Sequence, residues 1–126
     1  MDLKLKGKII IVTGGSKGIG YGICERLILE GAIPVIIGRN KETIPKALKE
    51  LEKLGGKAGV AYAELTDPDQ CKLAVDKIIQ DYGTIDGLVN NAGINDSISL
   101  SEGSFEEFTQ SIHRNLTHYY MMAHYC

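Results

Sequence analysis

The sequence predicts an α/β fold, a doubly wound parallel sheet with helices on both faces. Three observations carry that reading. Short, uninterrupted apolar runs of strand length alternate with segments whose apolar residues recur at helical spacing. The connections between them are short, as right-handed βαβ crossovers require. The first strand-to-helix turn is rich in glycine, Gly14, Gly15, Gly18 and Gly20.

The first apolar run, Ile9-Ile10-Ile11-Val12, is β-branched and does not alternate with polar residues, so it suits a strand buried on both faces. From Ile19 the period becomes helical, with Ile23 and Leu27 on one face and Gly31 as the stop. Val35-Ile36-Ile37 gives a second buried strand. Ile44, Ala47, Leu48, Leu51 and Leu54 mark a second helix, which Gly55-Gly56 would close through a left-handed cap. A third strand is expected over Ala58 to Ala63. In Asp67-Pro68-Asp69-Gln70, Asp67 reads as the N-cap, Pro68 occupies the first helical position, and Gln70 reaches back. Ala74, Val75, Ile78 and Ile79 are the apolar stripe of that helix. Gly87 to Asn90 is a short fourth strand, and Ser104-Phe105-Glu106-Glu107 opens a last helix with a capping box.

Composition narrows the classes. The 126 residues fit one domain, and 44% apolar with 24% charged residues at a net charge of -2 favours a globular soluble chain. Lys41, Lys46, Lys49, Lys53 and Lys57 are interleaved with Glu42, Glu50 and Glu52, a solvated face and not a nucleic-acid-binding stripe. No segment approaches a membrane span, and Met1 to Lys6 lacks the apolar run of a signal peptide, so a cytoplasmic address is the expectation. Cys24, Cys71 and Cys126 are odd in number and widely spaced, which points to reduced thiols. The five- and six-residue spacing of His113, His118 and His124 does not suit a metal site, and none is expected.

Thr13-Gly14-Gly15-Ser16-Lys17-Gly18-Ile19-Gly20 lies between the first strand and the first helix. Glycine there allows positive φ and close backbone approach to a pyrophosphate, which the helix N-terminus attracts through its free N–H groups and dipole. The spacing T-G-x-x-x-G-x-G resembles the short-chain dehydrogenase/reductase family, and Asn90-Asn91-Ala92-Gly93 resembles that family's second signature. The resemblance covers the whole chain. It implies a Rossmann domain whose cofactor is met by Gly14, Ser16, Lys17, Gly18, Ile19, Gly20, Arg39, Glu64, Leu65, Asn91, Ala92 and Gly93. The motif containing Asn90 ties the family's central sheet together beside the cofactor. Asn115 matches the active-site asparagine, which holds a proton-relay water through its backbone.

The family's catalytic serine and Tyr-x-x-x-Lys pair are absent. Four places after Tyr21, Tyr62, Tyr82, Tyr119 and Tyr120 come Glu25, Thr66, Asp86, Ala123 and His124. Residues 1–126 are therefore expected to be the N-terminal part of a single dinucleotide-binding domain. Its last helix is still apolar at Met121, Met122 and Ala123, and the fourth strand is expected to form an apolar edge that invites association. An inactive nucleotide-binding fragment, sensor or scaffold is the alternative to an enzyme.

Gly38 replaces the acidic residue that normally accepts the adenosine ribose hydroxyls, and Arg39 and Lys17 supply two cations, so NADP is expected over NAD. Glu64 stands where the family usually has an aspartate. Asn95-Asp96-Ser97 and the run from Arg114 to Cys126 resemble the sugar-oxidising branch that includes L-fucose dehydrogenases; the same three polar residues also suit an Asx turn. The expected partners are a small-molecule substrate, a sugar among the candidates, and further copies of the chain as a homodimer or homotetramer, with no nucleic acid and no membrane. Tyr119, Tyr120, Met121 and Met122 could be core, substrate wall or interface.

Overall fold

The computed structural model describes all residues, Met1–Cys126. Its elements are β1 (Ile9–Thr13), α1 (Gly18–Leu29), β2 (Ile33–Gly38), α2 (Thr43–Glu52), β3 (Gly59–Tyr62), α3 (Pro68–Tyr82), β4 (Gly87–Val89), α4 (Phe105–Ile112), a π-helical segment His113–Thr117, and α5 (His118–Tyr125). All strand pairs are parallel, in the order β3-β2-β1-β4. The chain steps outward from β1 to β2 and β3, then crosses to the other side of β1 for β4. That reversal opens a crevice at the carboxyl ends of β1 and β4, where open α/β sheets bind ligands.

The lack of alternation in the strands is explained by two cores. Ile9, Ile11, Val35 and Ile37 face Cys71, Ala74, Val75 and Ile78 of α3 and Met122 of α5. Ile10, Val12 and Ile36 face Cys24 and Ile28 of α1 and Ile44, Ala47 and Leu51 of α2. Each fully buried isoleucine or leucine contributes about 1.5–3 kcal/mol of transfer free energy, so both faces of β1 and β2 anchor the sheet. Cys24 and Cys71 are core residues; burial pushes the Cys24 thiol up to about 12. No helix is long and apolar enough to cross a membrane.

The helix starts follow the sequence closely. Asp67 accepts from the N–H groups of Asp69 and Gln70, with Pro68 in the first turn, and Ser104 and Glu107 form the full capping box. Gln70 reaches back to the Asp67 side chain at 3.1 Å and not to its backbone, because the Asp67 N–H is already bonded to the Glu64 carbonyl.

Several apolar assignments are corrected. The buried stripe of α1 is Gly20, Cys24 and Ile28; Ile23 and Leu27 lie at its margin and Ile19 is exposed. Gly20 must face the β1 turn, and that fixes the helix rotation one residue away from the branched side chains. The second helix stops at Glu52, leaving Leu54 outside it and exposed, while Gly55 takes the expected positive φ. Ile79 is exposed because the α3 stripe runs through Cys71, Ala74, Val75 and Ile78. The last helix is interrupted by the π-helical segment. Of its four large C-terminal residues, Met122 is core, Tyr120 is exposed, and Tyr119 and Met121 are half-buried.

Candidate functional site

β1 ends in a turn that only small residues can make. Gly14 has φ +67°, and a Cβ there would lie 3.0 Å from Ala92 Cα; Gly18 has φ +55° with open space where its Cβ would be. The first turn of α1 has no side-chain cap, in contrast to α3 and α4. Uncapped N–H groups at the positive end of a helix, behind a bare glycine, form a cradle of the kind that binds a pyrophosphate. The residues present therefore fit a dinucleotide.

The opposite wall of the crevice is held by Thr13 and Asn91. Thr13, fully buried, accepts at Oγ1 from the N–H groups of Asn91 (3.0 Å) and Ala92 (3.1 Å). The Asn91 side-chain amide donates back to the carbonyls of Thr13 (3.0 Å) and Gly14 (3.3 Å). These bonds lock the turn after β1 to the turn after β4. Asn90 instead reaches the last helix, donating to the Tyr119 carbonyl at 3.0 Å.

A cavity of about 640 Å³ extends from this turn along the strand ends, within the range of small-molecule and cofactor sites. Among the residues expected to meet a cofactor, Gly14, Ser16, Lys17, Arg39, Glu64, Leu65, Ala92 and Gly93 line it. Gly18, Ile19 and Gly20 form the first turn of α1 outside that lining, Gly18 and Ile19 exposed and Gly20 packed behind the turn, and Asn91 braces the wall. Gly20 is a packing residue: a Cβ there would come within 2.3 Å of the Gly14 carbonyl oxygen.

At one end of the cavity the parallel register brings Arg39 beside Glu64. The Ala63 N–H bonds the Gly38 carbonyl at 2.9 Å, and the next residues of the two strands leave side by side. Arg39 Nη1 lies 2.6 Å from Glu64 Oε2. Partial burial pushes the Glu64 carboxyl up, but hydrogen bonds from Arg39 and Thr66 outweigh it and hold the group below the usual carboxylate range.

At the other end, Asn115 accepts from the Ile94 N–H at 2.6 Å and donates to the Ser111 carbonyl at 3.0 Å. Thr117 and His118 likewise bond the carbonyls of His113 and Arg114. These side chains serve the carbonyls of the helical turn that widens into the π segment, a geometry frequent at functional sites. In the neighbouring loop, the Asn95 side chain accepts from the Ser97 N–H in an Asx turn, and Asp96 pairs with Arg114 at 3.2 Å.

Four cavity residues, Asn40, Thr43, Arg114 and His118, lie outside the motifs that point to a binding site. His118 is buried, and burial pushes its imidazole below the ordinary value. Arg114, four residues earlier, lines the same cavity. Cavity residues Asn40 and Thr43 also had no motif of their own.

The family model for short chain dehydrogenase matches residues 8–126. A 3α-hydroxysteroid dehydrogenase of Mediterraneibacter gnavus is 36% identical over 119 residues, 93% of this chain and 48% of that protein. The crystal structure of the Cj0485 dehydrogenase superposes with a TM-score of 0.91 at 41% identity, covering 100% of this chain and 48% of that one. An L-sorbose reductase from Gluconobacter frateurii, solved with NADPH and L-sorbose, gives a TM-score of 0.90 at 27% identity over 98% of this chain and 48% of that one. The chain thus spans about half the length of the proteins it matches. With the T-G-x-x-x-G-x-G turn, the N-N-A-G turn and the sheet order all in agreement, the chain belongs to the short-chain dehydrogenase/reductase family.

Proposed function

We propose that the full-length protein is an NAD(P)-dependent oxidoreductase acting on a secondary alcohol or carbonyl, with NADP preferred over NAD and an aldose such as L-fucose as its substrate. The observation that carries this reading is the uncapped glycine cradle opening into a cavity that runs from Arg39 to the Asn115 helix. The nicotinamide group, when bound, supplies hydride transfer. The α1 N-terminus and the Gly14 turn would hold the pyrophosphate. Thr13 and Asn91 keep the turns after β1 and β4 at a fixed separation, and so keep the cavity wall that would meet the dinucleotide in place. Asn115 fixes the loop beyond Gly93 and lies in the π segment, where by resemblance to the family its backbone would hold a proton-relay water.

The sugar assignment is supported by the resemblance of the Asn95-Asp96-Ser97 loop to the sugar-oxidising branch, of which Asp96 lines the cavity, and by the structural likeness to a reductase solved with L-sorbose. Lys17 and Arg39, with Gly38 in place of an acid, support NADP. A cytoplasmic homodimer or homotetramer is the assembly we assign to the full-length protein. A nucleotide-binding sensor or scaffold without turnover is the competing outcome of the test.

The test is to assay the full-length protein with a panel of aldoses and simple secondary alcohols, with NADP and with NAD, following reduced cofactor by absorbance. Turnover of an aldose with NADP in excess over NAD is expected. Cofactor binding without turnover of any substrate would move the assignment to the sensor; no binding of either dinucleotide would overturn both.

A further inference from the structure

The Arg39–Glu64 pair has a consequence for cofactor choice that neither residue has alone. Glu64 is not free to swing away from the cavity. Its Oε1 accepts from the Thr66 N–H at 3.3 Å and Thr66 Oγ1 at 3.1 Å, and its own N–H donates to Gln70 Oε1 at 2.8 Å. Gln70 is fixed in turn to the α3 N-cap Asp67. The second oxygen, Oε2, is left facing Arg39, whose guanidinium has a protein partner only at Nη1. Lys17, which lines the same cavity, has no carboxylate partner. The cavity therefore presents two cations and one anchored anion, the anion held against Arg39 at 2.6 Å. A phosphate on the ribose would gain from the cations and lose to the carboxylate.

Resting on the dinucleotide-binding reading above, we propose that Glu64 sets how strongly this site prefers a 2′-phosphorylated adenosine ribose, by holding the Arg39 guanidinium and cancelling part of its charge. The wild-type site then discriminates modestly between the two nucleotides, although Gly38, Arg39 and Lys17 alone would favour the phosphorylated one strongly. Glu64 acts on specificity and leaves the pyrophosphate cradle untouched.

The probes are 2′,5′-ADP and 5′-AMP, which differ in the group at issue and do not need the nicotinamide end. Their dissociation constants for the purified protein are measured by titration calorimetry, and the ratio of AMP to 2′,5′-ADP is the preference. Glu64→Gln removes the charge and keeps the acceptor for Thr66; it should raise the preference roughly fivefold, the upper range of one exposed charge pair. Glu64→Asp keeps the charge and should stay near wild type. Arg39→Ala reads the same carboxylate without altering it, and should turn the preference below one, so that AMP binds more tightly. An unchanged or lowered preference in Glu64→Gln overturns the proposal, as does a preference at or above one in Arg39→Ala, which decides the matter if Glu64→Gln does not fold. Binding of both probes with flat ratios sinks the proposal alone; binding of neither by wild type sinks it together with the dinucleotide reading.

Discussion

Two glycines two residues apart in α1 should respond to alanine in opposite directions. At Gly20 a Cβ would lie 2.3 Å from the Gly14 carbonyl oxygen and 2.5 Å from the Asn91 side-chain nitrogen. At Gly22 there is nothing within 4 Å. Both gain the helix propensity of alanine over glycine, about 1 kcal/mol. For Gly22→Ala that gain stands alone, and the protein should be stabilised by about 0.5–1 kcal/mol. At Gly20 the obstacle is backbone, which cannot rotate aside as a side-chain tip can. Overpacking of this kind costs roughly 1–3 kcal/mol, and the Asn91 bond to Gly14 is lost with about another 1 kcal/mol. The balance for Gly20→Ala is a net loss of about 1–3 kcal/mol. Urea unfolding of the two variants beside wild type reads the difference directly, and the midpoints should fall on opposite sides of the wild-type value. If Gly20→Ala proved as stable as Gly22→Ala, α1 would not approach the β1 turn as closely as described, and the bracing of the cavity wall would lose its basis.

Three further perturbations test the same wall and the last helix. Thr13→Val leaves the N–H groups of Asn91 and Ala92 without their acceptor in a fully buried position, and should cost roughly 2–4 kcal/mol by chemical unfolding; a loss below ~1 kcal/mol would show that neither bond matters. Asn115→Ala removes the acceptor of the Ile94 N–H, so amide exchange at Ile94 should accelerate at least about tenfold while β1 amides keep their protection; unchanged exchange would place the loop's anchor elsewhere. Burial lowers the His118 pKa from the ordinary 6.5, so the unfolded chain binds its proton first. The stability tied to neutral His118 is complete above 6.5 and is lost as pH falls from there through the lower folded value. Between pH ~7.5 and ~5.5, wild type should lose more stability than His118→Gln, and equal losses would refute the assignment.

The strands, their parallel sense and the helix caps were legible because each depends on local pattern. A β-branched run without alternation has one packing solution, two covered faces, and Asp67-Pro68 and Ser104-x-x-Glu107 satisfy their own helix ends whatever lies around them. The rotation of α1 was not legible, because it is set by Gly20 meeting a carbonyl of Gly14 across the turn, a contact made by the absence of a side chain. Periodicity weighs only the apolar residues present, and so chose Ile23 and Leu27. The cavity was half legible for a related reason. Its glycine wall lies in one contiguous motif, but Glu64 meets Arg39 only through the β2–β3 register, and His118 joins the wall only through the packing of α5 on α3. Each half of these pairs is unremarkable in the chain: an arginine after a strand, a glutamate before a turn, a histidine in an apolar helix. What gives them chemical meaning is the neighbour supplied by the sheet order. The glycine motif identifies the class of ligand. The ion pair from which the selectivity proposal is argued joins residues 25 apart in sequence, and there the structure adds most to the sequence.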